Sequence, residues 1–392
     1  MQVVVVGAGL GGLAAAIAVR AAGHQVVVCE RSPTLREAGA GIGLMPNGVL
    51  ALDALGLGPR VRAMAMPLAG IEGGLRDYRG RLLLGTRQDR LAAALGAPVV
   101  VVPRRWLHRL LADALPDGVI RTSVDVQAVP AGGVVATSAG DLPADLVVGA
   151  DGVGSGLRAW LFPTHPGVVG SGEYAARALV TVPAALGGRP LPAGELLDHR
   201  TGERFGCMPM ASPDGRGLQG EVYWYATWPA SADRGRDGLR DWLAHRRRDW
   251  HPAVGVLITA AAPADVHVDE TVRLVAPLPA LVAGRVALLG DAAHAMTPDL
   301  GQGGCQAFED AVALGAVLAG VRDAGRNLDA ALRRYDAVRR PRTATLIAAS
   351  TRMNRLLTLT GPPARVRNLA LRAVPPALAT RALIRQLRMS PV

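Results

Sequence analysis

Three short stretches of this chain combine glycines with acidic residues in patterns suited to binding a charged ligand. They are Gly7-x-Gly9-x-x-Gly12 with Glu30 further on, GADGVGSGLR from Gly149 to Arg158, and GDAAHAMTPDLGQGG from Gly290 to Gly304. Glycines ahead of a helix let backbone N–H groups approach a phosphate, and a nearby carboxylate can accept a hydrogen bond from a ribose hydroxyl. The first stretch therefore predicts a bound dinucleotide, without deciding between NAD and FAD.

The elements around the first stretch form a predicted strand–helix–strand unit. Four consecutive valines before Gly7 predict a buried strand, Leu13–Ala22 an alanine-rich helix, and Val26–Cys29 a second strand that Glu30 follows. The first glycine allows a tight turn, the second a close approach to a pyrophosphate, and the third close packing of helix on strand. This order of parts favours dinucleotide binding over a purely structural turn.

Two later predicted strands also run into an acidic turn. Leu146–Gly149 leads to Asp151, and the strand in GRVALLG leads to Gly290 and Asp291. The carboxyl ends of parallel strands lie along one edge of a sheet, which is where ligands bind. The three stretches are therefore expected to meet at one edge.

The rest of the chain predicts a second sheet and a helical end. Alternating runs between residues 173 and 275 indicate antiparallel strands with one solvated face, to which 71–102 are expected to add a strand or two. Asn47 is expected to cap a helix that runs to Leu55. After Asp310 the pattern is helical, with basic amphipathic helices expected to pack on the domain with their arginines facing water.

Composition argues against several functions. The net charge is +11, and because there is no lysine all 43 basic residues are arginine, which excludes Schiff-base and phosphate-loop lysine chemistry. No basic stripe alternates with stacking aromatics, so no nucleic-acid partner is expected, and HRRR at 245–248 is interpreted as a solvated helix face. Cys29, Cys207 and Cys305 are too far apart for a local metal or dithiol site and indicate a reducing, cytoplasmic compartment. No apolar run predicts a transmembrane segment.

In their order and separations, the three stretches resemble the group A flavoprotein monooxygenases, the para-hydroxybenzoate hydroxylase-like family. The resemblance covers essentially the whole chain, and the block from Arg285 to Val317 is similar to that of bacterial FAD-dependent urate hydroxylases. With the patterns above it implies an α/β fold. A Rossmann-like FAD-binding domain with a parallel sheet (1–70, 103–170 and 276–325) carries an inserted, mostly antiparallel β substrate domain (71–102 and 171–275), and C-terminal helices follow (326–392).

The resemblance also implies which residues hold FAD. Asp291 accepts from the ribityl hydroxyls, Pro298 packs near the isoalloxazine ring, and the glycines after it leave backbone N–H groups facing the flavin N1 and C2 carbonyl. Arg105 is an alternative to Arg104, His294 is expected to be structural rather than a base, and no metal site is expected. The full expected set is Gly7, Gly9, Gly12, Leu13, Glu30, Arg31, Gly41, Ile42, Arg104, Asp151, Gly290, Asp291, Pro298, Gly301, Gly303 and Gly304.

The implied function is hydroxylation, or epoxidation, of a small aromatic or hydrophobic molecule through a C4a-hydroperoxyflavin. FAD is the cofactor, NADPH or NADH and O2 are co-substrates, and a monomer or homodimer is expected. By resemblance Arg204 and Tyr223 are the catalytic candidates; the alternative places Arg204 on a solvated strand face and Tyr223 in the core. A flavin-dependent reductase of the geranylgeranyl-reductase type and a non-catalytic flavin-binding protein remain alternative functions.

Overall fold

Strands alternate with helices over most of the chain, and helices alone follow at the end. The computed structural model describes residues 1–35, 40–64, 72–129, 133–187, 191–210, 221–232 and 238–389. The predicted domain boundary between residues 70 and 71 lies outside them, as do the last three residues of the predicted helical region.

The strands are mostly short and apolar. In chain order they are β1 (Gln2–Val6), β2 (Gln25–Cys29), β3 (Gly41–Leu44), β4 (Glu72–Asp77), β5 (Leu82–Arg87), β6 (Val100–Pro103), β7 (Ile120–Arg121), β8 (Val126–Ala128), β9 (Val134–Thr137), β10 (Leu142–Pro143), β11 (Leu146–Gly149), β12 (Val168–Thr181), β13 (Gly194–Leu197), β14 (Arg204–Pro209), β15 (Glu221–Pro229), β16 (His267–Leu274), β17 (Val282–Ala283) and β18 (Val286–Leu288).

The helices range from a single turn to thirty-two residues in length. They are α1 (Leu10–Ala21), α2 (Pro46–Ala54), α3 (Gly58–Arg62), α4 (Gln88–Leu95), α5 (Arg104–Ala112), α6 (Gly156–Leu161), α7 (Leu239–Arg246), α8 (Pro252–Ala260), α9 (Asp291–His294), α10 (Gly303–Leu318), α11 (Arg326–Leu357), α12 (Gly361–Ala373) and α13 (Pro376–Leu387).

The first sheet is the predicted parallel one. Its order is β17–β18–β11–β1–β2–β7, and every pair is parallel except β17–β18. β1 is central: Val4 pairs with Val27 on one side and Val147 on the other, as suits a strand covered on both faces. Because β18, β11 and β1 are adjacent and parallel, their carboxyl ends bring Gly7, Asp151 and Gly290 to one edge.

The second sheet has the order β16–β12–β15–β14–β13–β4–β5 and is antiparallel except for the pair β13–β4. Strand periodicity divides β15 between two surroundings. Val222, Trp224, Ala226 and Trp228 are buried in a core with α7 and α8, while Tyr223, Tyr225 and Thr227 point to the opposite face and line a cavity. The α/β fold class is confirmed; the assignment of ranges to domains stays a prediction.

Asn47 is not the helix cap that the sequence suggested. Pro46 is the first residue of α2, a position proline favours, so Met45 is the N-cap and Asn47 is the second helical residue. Its side chain is fully buried, and Nδ2 donates to Gln302 Oε1 (2.8 Å) and Glu309 Oε1 (2.7 Å). The residue therefore joins α2 to α10.

Two predictions of solvated arginines were wrong for particular residues. Arg247 of HRRR is buried, where it pairs with Glu203 (3.0 Å) and donates to the carbonyl of Thr227 (2.8 Å). In the C-terminal helices, Arg339 and Arg367 are buried as well. In each case a buried acceptor compensates for the cost of removing the guanidinium from water.

Among the described helices, none combines the length and apolar character needed to cross a membrane. Within the same described ranges, no group of three or more His, Cys, Asp or Glu side chains is placed to hold a metal ion.

Candidate functional site

The turn from β1 into α1 has room for glycine only at two of its three predicted positions, one in the loop and one in the first turn of the helix. Gly7 has φ +102°, and a Cβ there would lie 2.5 Å from the carbonyl oxygen of Ala150. A Cβ on Gly12 would lie 2.0 Å from the carbonyl oxygen of Gly7. Gly9 is the N-cap of α1, and among the described residues no atom lies within 4 Å of its would-be Cβ and no side chain caps the helix. The first N–H groups of α1 therefore face an open space suited to an anion.

Glu30 stands beside this loop at the end of β2. Its Oε2 accepts from the N–H of Ala8 and its Oε1 from that of Ser32, both at 2.9 Å. Burial acts to raise the pKa of Glu30, but these hydrogen bonds outweigh it and lower the pKa, so the group stays a carboxylate. Arg31 is exposed next to it, whereas the side chain of Leu13 is fully buried in the core.

Asp151 and Arg158 connect the ends of β11 and β18. Arg158 is buried and donates to the carbonyls of Val153 (2.6 Å), Ala292 (3.1 Å) and Asp291 (3.3 Å). Asp151 Oδ2 accepts from the N–H of Leu157 (3.2 Å), and its Oδ1 is buried with no partner in the described part of the chain. An unpartnered carboxylate oxygen at this edge is an acceptor available to a polar ligand.

The third stretch presents backbone rather than side chains. Gly290 and Gly301 have φ of +59° and +60°, Asp291 is exposed, and α10 begins at Gly303 and Gly304 with no side-chain cap. A Cβ on Gly304 would lie 3.0 Å from Ile42. The start of α10 thus offers free N–H groups and the positive end of a helix to whatever lies against it.

Behind this stretch lies a group of buried ionic side chains that we call the α10 network: Glu309, Asp310, Arg339 and Arg342, with Asn47 and His294. Arg339 pairs with Asp310 (2.6 Å) and Glu309 (2.7 Å), and His294 Nε2 lies 2.6 Å from Asp310 Oδ2, which also accepts from the N–H of Gly290 (2.9 Å). Burial acts to raise the pKa of Asp310, but His294, Arg339 and the hydrogen bonds hold it well below its usual value. This pairing supports the structural role predicted for His294.

A cavity of about 1220 Å³ lies between the third stretch and the second sheet. The cavity is lined by eight of the residues predicted to bind FAD, Gly41, Ile42, Arg104, Asp291, Pro298, Gly301, Gly303 and Gly304, and on the second sheet by Arg204 and Tyr223. Arg105, the alternative to Arg104, is directed to Glu221 (3.6 Å). The remaining predicted residues lie at the edge of the first sheet. The cavity exceeds the usual size of a site for one drug-sized ligand, which leaves room for a flavin ring and a substrate.

Tyr223 lies against the glycine-rich strand β3 at the border of the cavity. A Cβ on Gly41 would lie 2.5 Å from the Tyr223 ring, so the ring packs directly against that backbone. Burial raises the pKa of Tyr223, although Arg177 and Arg104 act to lower it, so the hydroxyl keeps its proton at neutral pH. Tyr223 is thus nearly buried, as the alternative had it, and borders the cavity as well.

Arg204 does not lie on a solvated strand face; that alternative was wrong. Its side chain is 2% exposed and is surrounded by Asp299 (2.6 Å), Glu173 (2.9 Å) and Glu195 (3.3 Å). Sequence reasoning missed all three acids. Asp299 stands inside the third stretch and could have been considered, but Glu173 and Glu195 come from separate strands and carry no local signal.

All three cysteines are free and buried. Cys207 borders the cavity and Cys305 lies in the first turn of α10, where its Sγ accepts from the N–H of Met45 (3.4 Å). Burial raises the pKa of both thiols to about 12.

These features suit FAD: the open loop before α1, the unpartnered oxygen of Asp151, and a cavity wall of glycine backbone. Comparison with known proteins agrees. The family described as "FAD binding domain" matches residues 1–350 of the chain.

Similar proteins with assigned activities match over most of their length. The FAD-dependent urate hydroxylase of Klebsiella pneumoniae subsp. pneumoniae is 34% identical over 358 residues, which cover 88% of each chain. Aurachin C monooxygenase/isomerase of Stigmatella aurantiaca is 34% identical over 373 residues, which cover 91% of this chain and 89% of that one. The crystal structure of Klebsiella pneumoniae HpxO with FAD and uric acid superposes with a TM-score of 0.86 at 30% identity, covering 99% of this chain and 96% of that one.

Proposed function

Because the chain belongs to the family of group A FAD-dependent monooxygenases, we propose that FAD lies along the glycine-lined side of the cavity and the substrate against β14 and β15. The chain is an oxidoreductase that uses FAD to hydroxylate a small molecule. The finer proposal is a small aromatic or hydrophobic substrate, hydroxylated or epoxidised with electrons from NADPH or NADH.

The cofactor residues divide into two groups in this proposal. Gly7, Gly9 and Gly12 admit the pyrophosphate to the start of α1, with Glu30 and Arg31 beside the nucleotide end and Asp151 close by. Asp291 accepts from the ribityl chain, while the N–H groups at the start of α10 face the flavin ring. When bound, FAD supplies the oxygen-activating chemistry. The negative charge that a reduced flavin carries is then stabilised by helix and backbone dipoles.

The substrate residues orient the reacting ring and exclude water. Tyr223 packs on Gly41 and offers a protonated hydroxyl to the cavity. Arg204 acts through the acids it holds, because its Nη atoms already bond to three carboxylates. Keeping water out protects the activated oxygen until it reaches the substrate.

The same proposal covers the co-substrates, the oligomeric state and the cellular compartment. NADPH or NADH and O2 enter as partners, and the protein acts as a monomer or homodimer in the cytoplasm. The names of similar proteins make urate and aurachin C candidate substrates.

The observation that carries the proposal is the pairing of a glycine-lined wall with a tyrosine-bearing sheet across one cavity. The test is a screen of phenols, purines including urate, and polyketides, in which oxygen uptake, NAD(P)H oxidation and hydroxylated product are measured together. Stimulation of all three by one class is expected. Double-bond reduction without oxygen uptake would instead support the geranylgeranyl-reductase type.

Two glycines of the first stretch test where the nucleotide end of FAD binds. Gly12→Ala would press a methyl group on the Gly7 carbonyl and should abolish FAD binding and lower stability. Gly9→Ala meets no protein atom and has φ of −71°, so it should fold normally and weaken only FAD binding. Unfolding curves and flavin absorbance measure the two effects. Unchanged FAD affinity in Gly9→Ala would place the cofactor elsewhere.

A further inference from the structure

Arg204 is held by acids from three separate parts of the chain, and we call this group, with Asn354, the Arg204 cluster. Glu173 comes from β12, Glu195 from β13 and Asp299 from the third stretch. The side chains of Glu173 and Asp299 are 5% and 0% exposed, and that of Glu195 is 14% exposed. Glu195, Arg204 and Asp299 border the cavity.

The cluster carries more negative than positive charge. Besides Arg204, its donors are neutral: the amide of Asn354 donates to Glu173 Oε2 (2.5 Å) and Asp299 Oδ1 (3.3 Å), and the hydroxyl of Tyr225 donates to Glu195. Burial raises the pKa of Glu195, and Asp299 and Glu173 raise it further against the opposing effect of Arg204. Even with Glu195 protonated, one guanidinium faces two carboxylates, which leaves one unit of negative charge uncompensated.

The cluster also has unfilled hydrogen-bonding positions. Glu173 Oε1 and Asp299 Oδ2 are buried and have no partner in the part of the chain that the structure describes, and neither has Arg204 Nε. Thr227 Oγ1, on the cavity face of β15, is in the same condition. A buried carboxylate oxygen without a donor is costly, so the protein compensates the negative charge of the cluster incompletely.

The lining of the cavity as a whole also carries more negative than positive charge. Its acids include Glu195, Asp269, Glu270 and Asp299, and on the second sheet Arg177 is already paired with Asp269 (3.3 Å). This contrasts with the chain as a whole, whose net charge is +11. A carboxylate that approached Arg204 would find its Nη atoms occupied by the acids of the cluster and would be repelled by them.

We propose that the Arg204 cluster makes the substrate site select ring compounds that carry a protonated or neutral nitrogen or hydroxyl donor, and makes it reject aromatic carboxylates. This inference rests on the proposed function, because it assigns the substrate class of the same cavity. A cation balances the residual negative charge, whereas a carboxylate adds to it.

The test uses three phenols of similar size that differ in charge at neutral pH: 4-(aminomethyl)phenol, 4-hydroxybenzyl alcohol and 4-hydroxybenzoate. Dissociation constants are measured on the FAD-loaded protein by calorimetry and by the change in flavin absorbance. The cation is expected to bind most tightly and the anion most weakly, with at least about a tenfold difference between them. Binding is read independently of turnover, so an inactive protein with this order would overturn the proposed function and leave the charge selection standing.

Glu195→Gln is the main variant, because it removes one carboxylate, nearly preserves shape and alters the most exposed acid of the cluster. It should bring the cation-to-anion ratio of dissociation constants closer to one. Glu173→Gln should act in the same direction and serves as a second variant if the first fails to fold. Glu270→Gln is the matched control: the same substitution on the same cavity, outside the cluster, should leave the ratio near the wild-type value.

Three results would overturn the inference. They are tighter or equal binding of 4-hydroxybenzoate by the wild-type protein, an unchanged ratio in both cluster variants, and failure of all three phenols to bind. Equal changes in Glu195→Gln and Glu270→Gln would also overturn it, because the selection would then come from general cavity charge rather than from the cluster.

Discussion

Two groups of mostly buried charged side chains reach the stretch from Gly290 to Gly304. They differ in how fully the protein itself balances their charges and satisfies their carboxylate oxygens. In the α10 network two carboxylates meet two guanidiniums, and all four carboxylate oxygens accept hydrogen bonds. In the Arg204 cluster three carboxylates meet one guanidinium, and within the described residues one oxygen each of Glu173 and Asp299 accepts none.

The difference shows how buried charge can serve two purposes in one protein. A network whose carboxylates are balanced by guanidiniums and whose carboxylate oxygens all accept hydrogen bonds requires no ligand, so the α10 network can fix the backbone of the stretch from Gly290 to Gly304. A cluster whose negative charge is incompletely compensated acts on the charge of a nearby ligand, so the Arg204 cluster can discriminate between ligands. The two should therefore respond differently to the same kind of change.

The largest effect is expected when the balanced network loses a cation. Arg339→Met leaves Glu309 and Asp310 buried with less compensation and should lower the free energy of unfolding by about 3–5 kcal/mol. Arg340→Met, one residue further along α11, removes a partly exposed pair with Asp336 (3.0 Å) and should cost about 0–1 kcal/mol. Urea unfolding of both variants measures this. Equal losses of unfolding free energy in the two variants would show that the ion pairs of Arg339 contribute no more to stability than an exposed ion pair does.

A smaller effect is expected at Asp291, which lies in the stretch that the α10 network supports and that we propose binds FAD. Asp291→Ala should weaken FAD binding by about 1.5–3 kcal/mol, because charge-assisted hydrogen bonds to the ribityl chain are lost, while FAD-free stability barely changes. Asp269→Ala, an aspartate of the same cavity on the second sheet, is the control and should leave FAD affinity near that of the wild type. Flavin titration reports the dissociation constants. An unaffected constant in Asp291→Ala would count against this position for the ribityl chain.

The two groups should also respond to pH in opposite directions. The pKa of Asp310 is lowered by folding, so its stabilising contribution is present above the unfolded value of about 3.9 and is lost as pH falls below it. The pKa of Glu195 is raised, so its contribution is present below about 4.3 and is lost as pH rises through the raised value. One such group changes the free energy of unfolding by at most about 1.4 kcal/mol per pH unit.

Urea unfolding across pH separates these contributions by substitution. Asp310→Asn should reduce the loss of stability at acid pH. Glu195→Gln should reduce the loss of stability as pH rises above the ordinary glutamate pKa. Arg204, Glu173, Asp299 and Tyr225 face Glu195, and Arg367 of α12 interacts with it at longer range. A Glu195→Gln profile identical to that of the wild type would show that Glu195 ionises as freely in the folded protein as in the unfolded one.

The smallest effect is expected at Tyr223, which touches neither group of charges directly. Tyr223→Phe removes one hydroxyl from the cavity and should leave FAD content unchanged while lowering product formed per NAD(P)H by about twofold to tenfold, the worth of one hydrogen bond. The ratio of the dissociation constants of 4-(aminomethyl)phenol and 4-hydroxybenzoate should not change. Product and NAD(P)H are counted in the same reaction, and full coupling would mean that the substrate lies elsewhere in the cavity.

The sequence predicted the cofactor side of the site far better than the substrate side. Gly7, Gly12 and Gly290 are informative because a backbone clash or a left-handed φ restricts the position to glycine, and such a restriction is visible in a single sequence. Glu173 and Glu195 are ordinary acids on separate strands, and the register of the sheet alone brings them to Arg204. The burial of Arg339 was missed for a related reason: an arginine is expected in water until distant carboxylates are known to meet it.

The buried cysteines bear on how this protein withstands its own chemistry. An enzyme that activates oxygen exposes its interior to peroxide whenever the oxygen is released without reaching a substrate. Thiolates are the forms of cysteine that peroxide oxidises, and thiols with a pKa of about 12, such as those of Cys207 and Cys305, are almost entirely protonated at neutral pH. The thiol beside the cavity and the thiol in the first turn of α10 are thus resistant to oxidation, so unproductive turnover should not inactivate the enzyme through its cysteines.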